Sequence, residues 1–301
     1  MFAVIDGIRF GAVARKRARL APQAGTVRLS AEQVGFFAAE GYLSIPSVST
    51  AEEIEWLIGV YDQMFAERVG YKEGYFIDFA GDETTESLQI PQILGPVAYR
   101  PELRETLIWR NCEAMAQQLL GPEARFQFDH AMLKPAGGGA ATPWHQDQAF
   151  YPQGTRYQTI TFWVPLQEVG PQSGCLKYVA RSHQGPLLEH RPMSGNPAIH
   201  GLEALGVEEG ERVRHCPLPA GGCVVHHRLT LHGADKNVTA TPRRAYAIAF
   251  GVRQPRVVVP REYPWNRIKR TPSEQRMRAS PVKRAKLFVK KNLMRWGLLD
   301  R

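Results

Sequence analysis

The sequence predicts a mainly β protein, an antiparallel sandwich or barrel with surrounding helices. The second half of the chain contains short, often alternating apolar segments at 126–135, 159–166, 175–179, 222–226 and 245–252. Turn residues separate these segments, and several short strands at such spacing indicate an antiparallel β domain. Helical patterns come first along the chain, which favours a β core with helices packed around it.

Three helices are predicted before the strands. The first begins at a capping-box pattern at Ser30 and ends near Gly41. A second begins at 49–53 and continues through apolar residues at helical spacing. The third is expected at 102–120, before a Gly-Pro pair that stops it. Residues 70–96 show weak periodicity and are expected to form loops and short strands.

Charge divides the 301-residue chain into three parts. We expect a basic N-terminal extension at 1–28, a central domain at 29–260 and a basic helical tail at 261–301. The extension has six basic residues and one acidic residue, and the tail has thirteen basic and three acidic residues. The net charge of +9 therefore comes from the ends, and the central domain is acidic. This distribution argues against nucleic acid as a partner.

The tail carries apolar residues at helical spacing with basic residues on other faces. Such a helix can dock its apolar stripe on the sheet, the simpler interpretation, or make weak contact with an anionic membrane surface. No apolar run reaches the roughly 18 residues of a membrane span, and no secretory signal is recognisable. Four cysteines without metal or disulfide spacing indicate a reduced, cytoplasmic protein. The oligomeric state stays open.

Two segments carry candidate metal ligands. The first contains His145 and Asp147 as a His-x-Asp pair, and the second contains His232, 87 residues after His145. Residues i and i+2 of a strand point to the same side, so His145 and Asp147 can bind one ion. Two imidazoles and one carboxylate on one face of a metal suit non-haem Fe(II) oxygen chemistry. Arg243 offers a planar fork for a carboxylate, whereas its neighbour Arg244 must face the other way.

Motifs across 126–252 resemble the phytanoyl-CoA dioxygenase family of Fe(II)/2-oxoglutarate oxygenases. They comprise Pro-Trp-His-Gln-Asp at 143–147, Trp163, Ser-Gly-Cys-Leu-Lys-Tyr-Val at 173–179, Arg-Ser-His at 181–183, Ala-Gly-Gly-Cys-Val-Val-His-His at 220–227, His232-Gly233 and Arg243. The resemblance implies a double-stranded β-helix core (jelly roll, cupin-like). It also implies that His145, Asp147 and His232 hold iron, and that Arg243 binds the distal carboxylate of 2-oxoglutarate.

The resemblance extends to further pocket residues. Trp163, at the family's tryptophan position, is expected to line the cosubstrate pocket. His130 either lines the same pocket or is a hydrogen-bonded core histidine, and Gln89 is a weaker candidate for it. Phe150 and Tyr151 are expected in the substrate wall. At the position of a small hydroxyl residue that many members carry two residues after the distal histidine, this chain has Ala234.

The remaining histidines show no ligand pattern. His183 is expected to be structural, and neither His226 nor His227 is expected to bind the metal. Surface positions are expected for three others, at 190, 200 and 215.

The implied reaction uses O2 and 2-oxoglutarate and releases succinate and CO2. Asp147 favours a hydroxylase, because related halogenases have Gly or Ala there; desaturation, epimerisation and ring closure stay open. The expected substrate is a small organic molecule: a natural-product intermediate, a lipid or acyl thioester, or a sugar derivative. Two other classes compete. One is a non-catalytic jelly-roll binding protein, and the other is a cupin-like isomerase or hydrolase with another divalent metal.

Overall fold

The computed structural model of the chain describes residues 27–83, 88–151, 157–207, 210–253 and 262–279. The predicted helical pattern at 282–296 and almost all of the N-terminal extension lie outside the described residues. In chain order the helices and strands are α1 (Ala31–Glu40), β1 (Tyr42–Ile45), α2 (Ala51–Ala66), β2 (Phe76–Asp78), β3 (Pro91–Leu94), α3 (Leu107–Leu120), β4 (Arg125–Lys134), β5 (Thr142–His145), β6 (Tyr157–Pro165), β7 (Leu176–Val179), β8 (His190–Pro192), β9 (Leu202–Ala204), β10 (Val213–His215), β11 (Cys223–His227), β12 (His232–Ala234), β13 (Arg243–Arg253), α4 (Pro264–Arg267) and α5 (Pro272–Ala279). Among the described helices, none is long and apolar enough to cross a bilayer.

The strands form two antiparallel sheets and a separate hairpin. The larger sheet has the order β1-β11-β6-β13-β4-β3-β2, the smaller has β10-β7-β12-β5, and β8 pairs with β9. Side chains of both sheets meet in one apolar cluster that includes Trp163 and Ala247 from the larger sheet and Leu176 from the smaller. Two antiparallel sheets packed face to face form a jelly roll, so the predicted fold class is confirmed.

Strand alternation divides the larger sheet into a helix-facing side and an inner side. Phe162 and Ile248 pack with residues of α2 and α3 in the main apolar core. Trp163 and Ala247, their neighbours in sequence, point to the smaller sheet. The inner side of the larger sheet therefore faces the space between the two sheets, where the functional cavity lies.

The predicted start of the third helix was wrong. Residues 101–105 form a separate 3-10 turn, and α3 begins at Leu107 behind the N-cap Thr106. The buried carboxylate of Glu53, on α2, accepts hydrogen bonds from the backbone N–H groups of Leu107 and Ile108 at 2.6 and 3.0 Å. The helix thus begins where a side chain of another helix satisfies its first donors, a contact that local sequence does not reveal.

Candidate active site

His145, Asp147 and His232 meet at the neighbouring ends of β5 and β12. His145 is the last residue of β5 and pairs directly with His232, the first of β12. Gln146 keeps extended backbone angles (φ −121°, ψ 130°), so strand alternation continues to Asp147 even though Asp147 begins a 3-10 helix. One ligand atom from each of the three residues lies within 4.8 Å of the others. Gly233 permits this approach, because a Cβ there would lie 2.9 Å from the Thr142 carbonyl oxygen.

The two histidines present the same ring nitrogen to the centre. Nδ1 of His145 lies 2.9 Å from the Pro143 carbonyl oxygen, and Nδ1 of His232 lies 2.9 Å from that of Thr230. Because a carbonyl oxygen only accepts, each Nδ1 carries the proton and each Nε2 keeps a free lone pair. The Nε2 atoms of His145 and His232 lie 3.9 and 3.6 Å from Oδ1 of Asp147.

The other carboxylate oxygen of Asp147 is held by the protein. Oδ2 accepts a hydrogen bond from the Thr161 hydroxyl at 2.7 Å and another from Nε2 of His226 at 3.2 Å. The Tyr178 hydroxyl in turn donates to Nδ1 of His226 at 3.0 Å. An ionised carboxylate only accepts, which assigns the His226 proton to Nε2. Oδ1 is therefore left facing the two ligand histidines.

Burial and mutual contact set the protonation of the three groups. Burial lowers the pKa of His145, and it lowers the pKa of His232 well below the ordinary value, so both rings are neutral. Burial alone would raise the pKa of Asp147, but the hydrogen bond that its carboxylate accepts from His226 brings it well below the ordinary range. Two neutral imidazoles and one carboxylate are the protonation states that metal binding requires.

The donor set fits a first-row divalent metal. Zinc, a close analogue in size, binds imidazole nitrogen and carboxylate oxygen at roughly 2.0–2.2 Å, which places adjacent ligand atoms about 3 Å apart. The Oδ1–Nε2 distances of 3.6 and 3.9 Å exceed that spacing by less than an ångström. A facial set of two histidines and one carboxylate with open positions is characteristic of non-haem Fe(II) oxygenases.

The centre lies in the wall of a cavity of about 450 Å³ between the sheets. Among the sequence-predicted residues, the cavity brings together His145, Asp147, His232, Arg243, Trp163, His130, Phe150 and Tyr151. Much of the remaining wall is apolar or aromatic and includes Phe79, Ile90 and Phe128. Phe150 lies against His145, with ring centres 5.9 Å apart. These eight predicted metal, cosubstrate and substrate residues thus face one shared space.

Arg243 is a buried cation with unused donors. It begins β13 and is 3% exposed, and its guanidinium carbon lies 5.2 Å from the centre of the Trp163 ring. Its Nε and Nη1 atoms are buried without a hydrogen-bond partner among the described residues. Burial lowers its pKa to about 10, so the group stays protonated at neutral pH. An unsatisfied buried cation is costly, and a ligand carboxylate would satisfy it.

The two basic neighbours of Arg243 are already satisfied. Lys134, its cross-strand partner, donates from Nζ to the carbonyl oxygens of Ala234 and Asp235 at 3.2 and 2.7 Å. Arg244 faces the opposite way, as strand alternation predicted, and pairs with Asp62 at 2.7 Å. Of these three basic side chains, Arg243 alone has buried side-chain donors without partners among the described residues.

His130 combines both of its expected roles. It lines the cavity on the inner face of β4, and its Nδ1 lies 3.3 Å from Oε1 of Gln92. Burial lowers its pKa to about 4, so the ring is neutral. Gln89 is not among the described residues of the cavity wall. Its backbone N–H donates to Asp78 at 2.7 Å in the loop before β3, and Gln92, on β3, supplies the amide at the cavity.

Several functional neighbours were missed from the sequence. His226 has no ligand pattern in the sequence, yet it contacts Asp147. Strands β11 and β6 are neighbours, so His226 lies opposite Thr161, beside the Asp147 carboxylate. Two expectations of surface histidines were wrong. His190 is 2% exposed, since its Nε2 accepts from the backbone N–H of Gln146. His200 lies in the cavity wall, stacked on Phe150 with ring centres 6.2 Å apart.

Replacing His226 by phenylalanine should weaken metal binding about 10- to 100-fold, the usual effect of losing a partner that orients a ligand. The ring shape is kept, but Oδ2 of Asp147 loses one of its two donors. The affinity would be measured by Co(II) titration, following the visible absorption of the bound ion. His227→Phe is the matched control, because the His227 ring contacts His183 and Leu229 rather than Asp147. Equal affinities in the two variants would show that His226 does not orient the carboxylate.

Comparison with known proteins agrees with this geometry. Residues 37–245 match the family model of phytanoyl-CoA dioxygenase (PhyH). The chain is 28% identical over 229 residues to a probable alpha-ketoglutarate-dependent hypophosphite dioxygenase of Stutzerimonas stutzeri, covering 73% of this chain and 78% of the relative. It is 26% identical over 236 residues to a probable phytanoyl-CoA dioxygenase of Caenorhabditis elegans, covering 74% and 75% of the two chains.

Solved structures are similar as well. The chain superposes on EvdO2 from Micromonospora carbonacea var. aurantiaca with a TM-score of 0.68 and 31% identity, covering 81% of this chain and 99% of that one. EvdO2 complexed with 2-oxoglutarate gives a TM-score of 0.67.

Proposed function

The chain belongs to the phytanoyl-CoA dioxygenase family, and from this premise we propose that it is an Fe(II)- and 2-oxoglutarate-dependent dioxygenase. The reaction that the site supports best is hydroxylation of an unactivated C–H bond of a small organic substrate, with release of succinate and CO2. One observation carries the proposal: the His145, Asp147 and His232 centre shares a cavity with the unsatisfied guanidinium of Arg243.

Each cofactor has residues suited to it. His145 and His232 would hold Fe(II) through Nε2, and Asp147 would do so through Oδ1. Arg243 would bind the distal carboxylate of 2-oxoglutarate, beside the indole of Trp163. When bound together, Fe(II) and 2-oxoglutarate supply O2 activation coupled to decarboxylation.

The protein's own residues orient these groups and exclude water. Thr161 and His226 fix the Asp147 carboxylate, and backbone carbonyls fix the rotation of both ligand rings. The aromatic side chains of Phe79 and Phe150 keep the adjoining wall apolar. An O2-dependent reaction benefits from such a wall, since it keeps water away from reactive species.

The cavity supports an organic substrate over a small inorganic anion. Hypophosphite, named for one relative, is far smaller than a 450 Å³ space. His130 and His200 in the wall are neutral, because burial lowers their pKa values to about 4 and 3. An uncharged, largely apolar reacting portion fits this surface best.

The finer assignments form part of the same proposal. An intact carboxylate ligand favours hydroxylation over halogenation, and product analysis would separate hydroxylation from desaturation, epimerisation or ring closure. The four cysteines are buried free thiols, which supports a reducing, cytoplasmic location. We retain the division into a basic extension, a catalytic domain at 29–260 and a basic tail at 261–301.

The proposal is tested by succinate release from the purified protein with Fe(II), ascorbate, 2-oxoglutarate and O2, with and without candidate substrates. Succinate is expected above the level of a His145→Ala variant, because oxygenases of this type turn over some 2-oxoglutarate without substrate. A protein that releases no succinate and shows no thermal shift with 2-oxoglutarate would instead be the non-catalytic binding protein.

A further inference from the structure

Residues 262–279, beyond the family match, make hydrogen bonds to three stretches of chain that supply or flank residues of the cavity wall. Trp265 and Asn266 donate to the Ala149 carbonyl oxygen at 3.0 and 2.8 Å, next to Phe150. Lys269 donates to the carbonyl oxygen of His200 at 2.7 Å, and Arg276 donates to that of Phe76 at 3.0 Å. This segment therefore anchors stretches of chain that supply or flank residues of the main cavity.

Under the segment lies a second cavity of about 230 Å³. It is lined by Phe150, His200, Glu262, Asn266, Lys269 and Glu274. Phe150 and His200 also line the main cavity, and their rings are stacked at an interplanar angle of 15°. A single layer of aromatic rings is thus common to the walls of both spaces. A substrate that passes these rings would reach residues that the family match does not include.

Lys269 is the main polar feature of the second cavity. It is 5% exposed, and its ammonium lies 4.8 Å from the centre of the Phe150 ring. The carbonyl oxygen of His200 accepts one of its three N–H groups, and no ion pair with a carboxylate forms within the described part of the chain. Burial lowers its pKa to about 8, which leaves it protonated at neutral pH. A buried ammonium group with unused N–H donors indicates that a bound ligand supplies a hydrogen-bond acceptor here.

The other lining groups determine which acceptor fits. Glu274 is half-buried and Glu262 is exposed, and both carboxylates line the same space as Lys269. A ligand carboxylate would meet two like charges there. A hydroxyl group can accept a hydrogen bond from Lys269 and donate one to a carboxylate. It therefore suits both the positively and the negatively charged side chains of this cavity. The amide nitrogen of Asn266 already donates to Ala149, so its amide oxygen is the atom that could accept from a hydroxyl group.

We infer that this second cavity, the Lys269 subsite, binds a neutral, hydroxyl-rich portion of the substrate whose apolar portion occupies the main cavity. The inference rests on the proposed function, because it takes the main cavity to be the substrate-binding site. It narrows the substrate to molecules that join an apolar body to a polyhydroxylated substituent.

The test uses three probes that share a phenyl group: phenyl β-D-glucopyranoside, phenol and 4-phenylbutyrate. Saturation-transfer NMR is recorded on the full chain with Zn(II) and 2-oxoglutarate. Glucosyl protons should receive saturation in the unmodified protein, and Lys269→Met should raise the dissociation constant of the glucoside about 10-fold or more while phenol binding persists. Lys177→Met is the matched control, since Lys177 pairs with Asp235 away from both cavities.

Three results would overturn the inference: no saturation of glucosyl protons in the unmodified protein, equal glucoside affinity in the Lys269 and Lys177 variants, or tighter, Lys269-dependent binding of 4-phenylbutyrate. If Lys269→Met does not fold, Glu274→Gln decides instead, with weaker glucoside binding expected. The NMR binding measurement does not depend on turnover. A negative succinate assay would therefore contradict the proposed function but leave the glucoside-binding result unchanged.

Discussion

Replacing Asp147 by alanine should abolish metal binding at the centre and lower succinate release by more than about 100-fold, since loss of a mere orienting partner already costs 10- to 100-fold. Asp147 supplies the only carboxylate of the metal-binding group found among the described residues. Two neutral imidazoles alone offer no charge to balance a divalent cation. Co(II) titration measures the loss of affinity directly, without relying on turnover.

The same substitution should lower the stability of the metal-free protein. It leaves the Thr161 hydroxyl and the Nε2–H of His226 without their acceptor, and an unsatisfied buried donor costs about 1–3 kcal/mol. Asp235→Ala is the matched control, because Asp235 forms a partly exposed ion pair with Lys177. An Asp147→Ala protein that binds Co(II) as tightly as the Asp235→Ala protein would show that the metal centre has been assigned to the wrong residues.

Much of the fold and the centre of the site follow from short-range patterns. Alternating segments and turn residues predict the antiparallel strands, and the capping box at Ser30 predicts the start of α1, where the structure has it. Spacing alone brings His145 and Asp147 to one side of the chain. Assigning His232 and Arg243 to the same site as these two residues required the family resemblance, because 87 residues separate His145 from His232.

The remaining features depend on contacts between distant segments. Glu53 fixes the start of α3 from another helix, and His226 reaches Asp147 only because β11 lies beside β6. His190 and His200 resemble surface residues in sequence, since nothing near them shows what will cover them. Lys269 belongs to a segment that is basic overall, and its burial becomes visible only when that segment packs on the core. Local periodicity carries no information about such partners.

Arg243→Met is expected to raise the KM for 2-oxoglutarate about 10- to 100-fold, because hydrogen bonds to a charged group contribute about 1.5–3 kcal/mol each. Co(II) affinity should stay unchanged, since Arg243 is not among the metal-binding residues. The free energy of unfolding of the ligand-free protein should not fall, because the substitution removes a buried charge whose Nε and Nη1 lack partners. Steady-state kinetics, Co(II) titration and chemical denaturation measure these three quantities.

Arg244→Met should give the opposite pair of results. It breaks the ion pair with Asp62 and leaves that carboxylate half-buried, so stability should fall by about 1–3 kcal/mol while the KM for 2-oxoglutarate stays the same. The two neighbouring arginines of this strand would then have different roles. The inward-facing one determines the affinity for the cosubstrate, and the outward-facing one contributes to the stability of the fold. An unchanged KM for 2-oxoglutarate in a stable, active Arg243→Met protein would show that Arg243 does not bind the distal carboxylate of the cosubstrate.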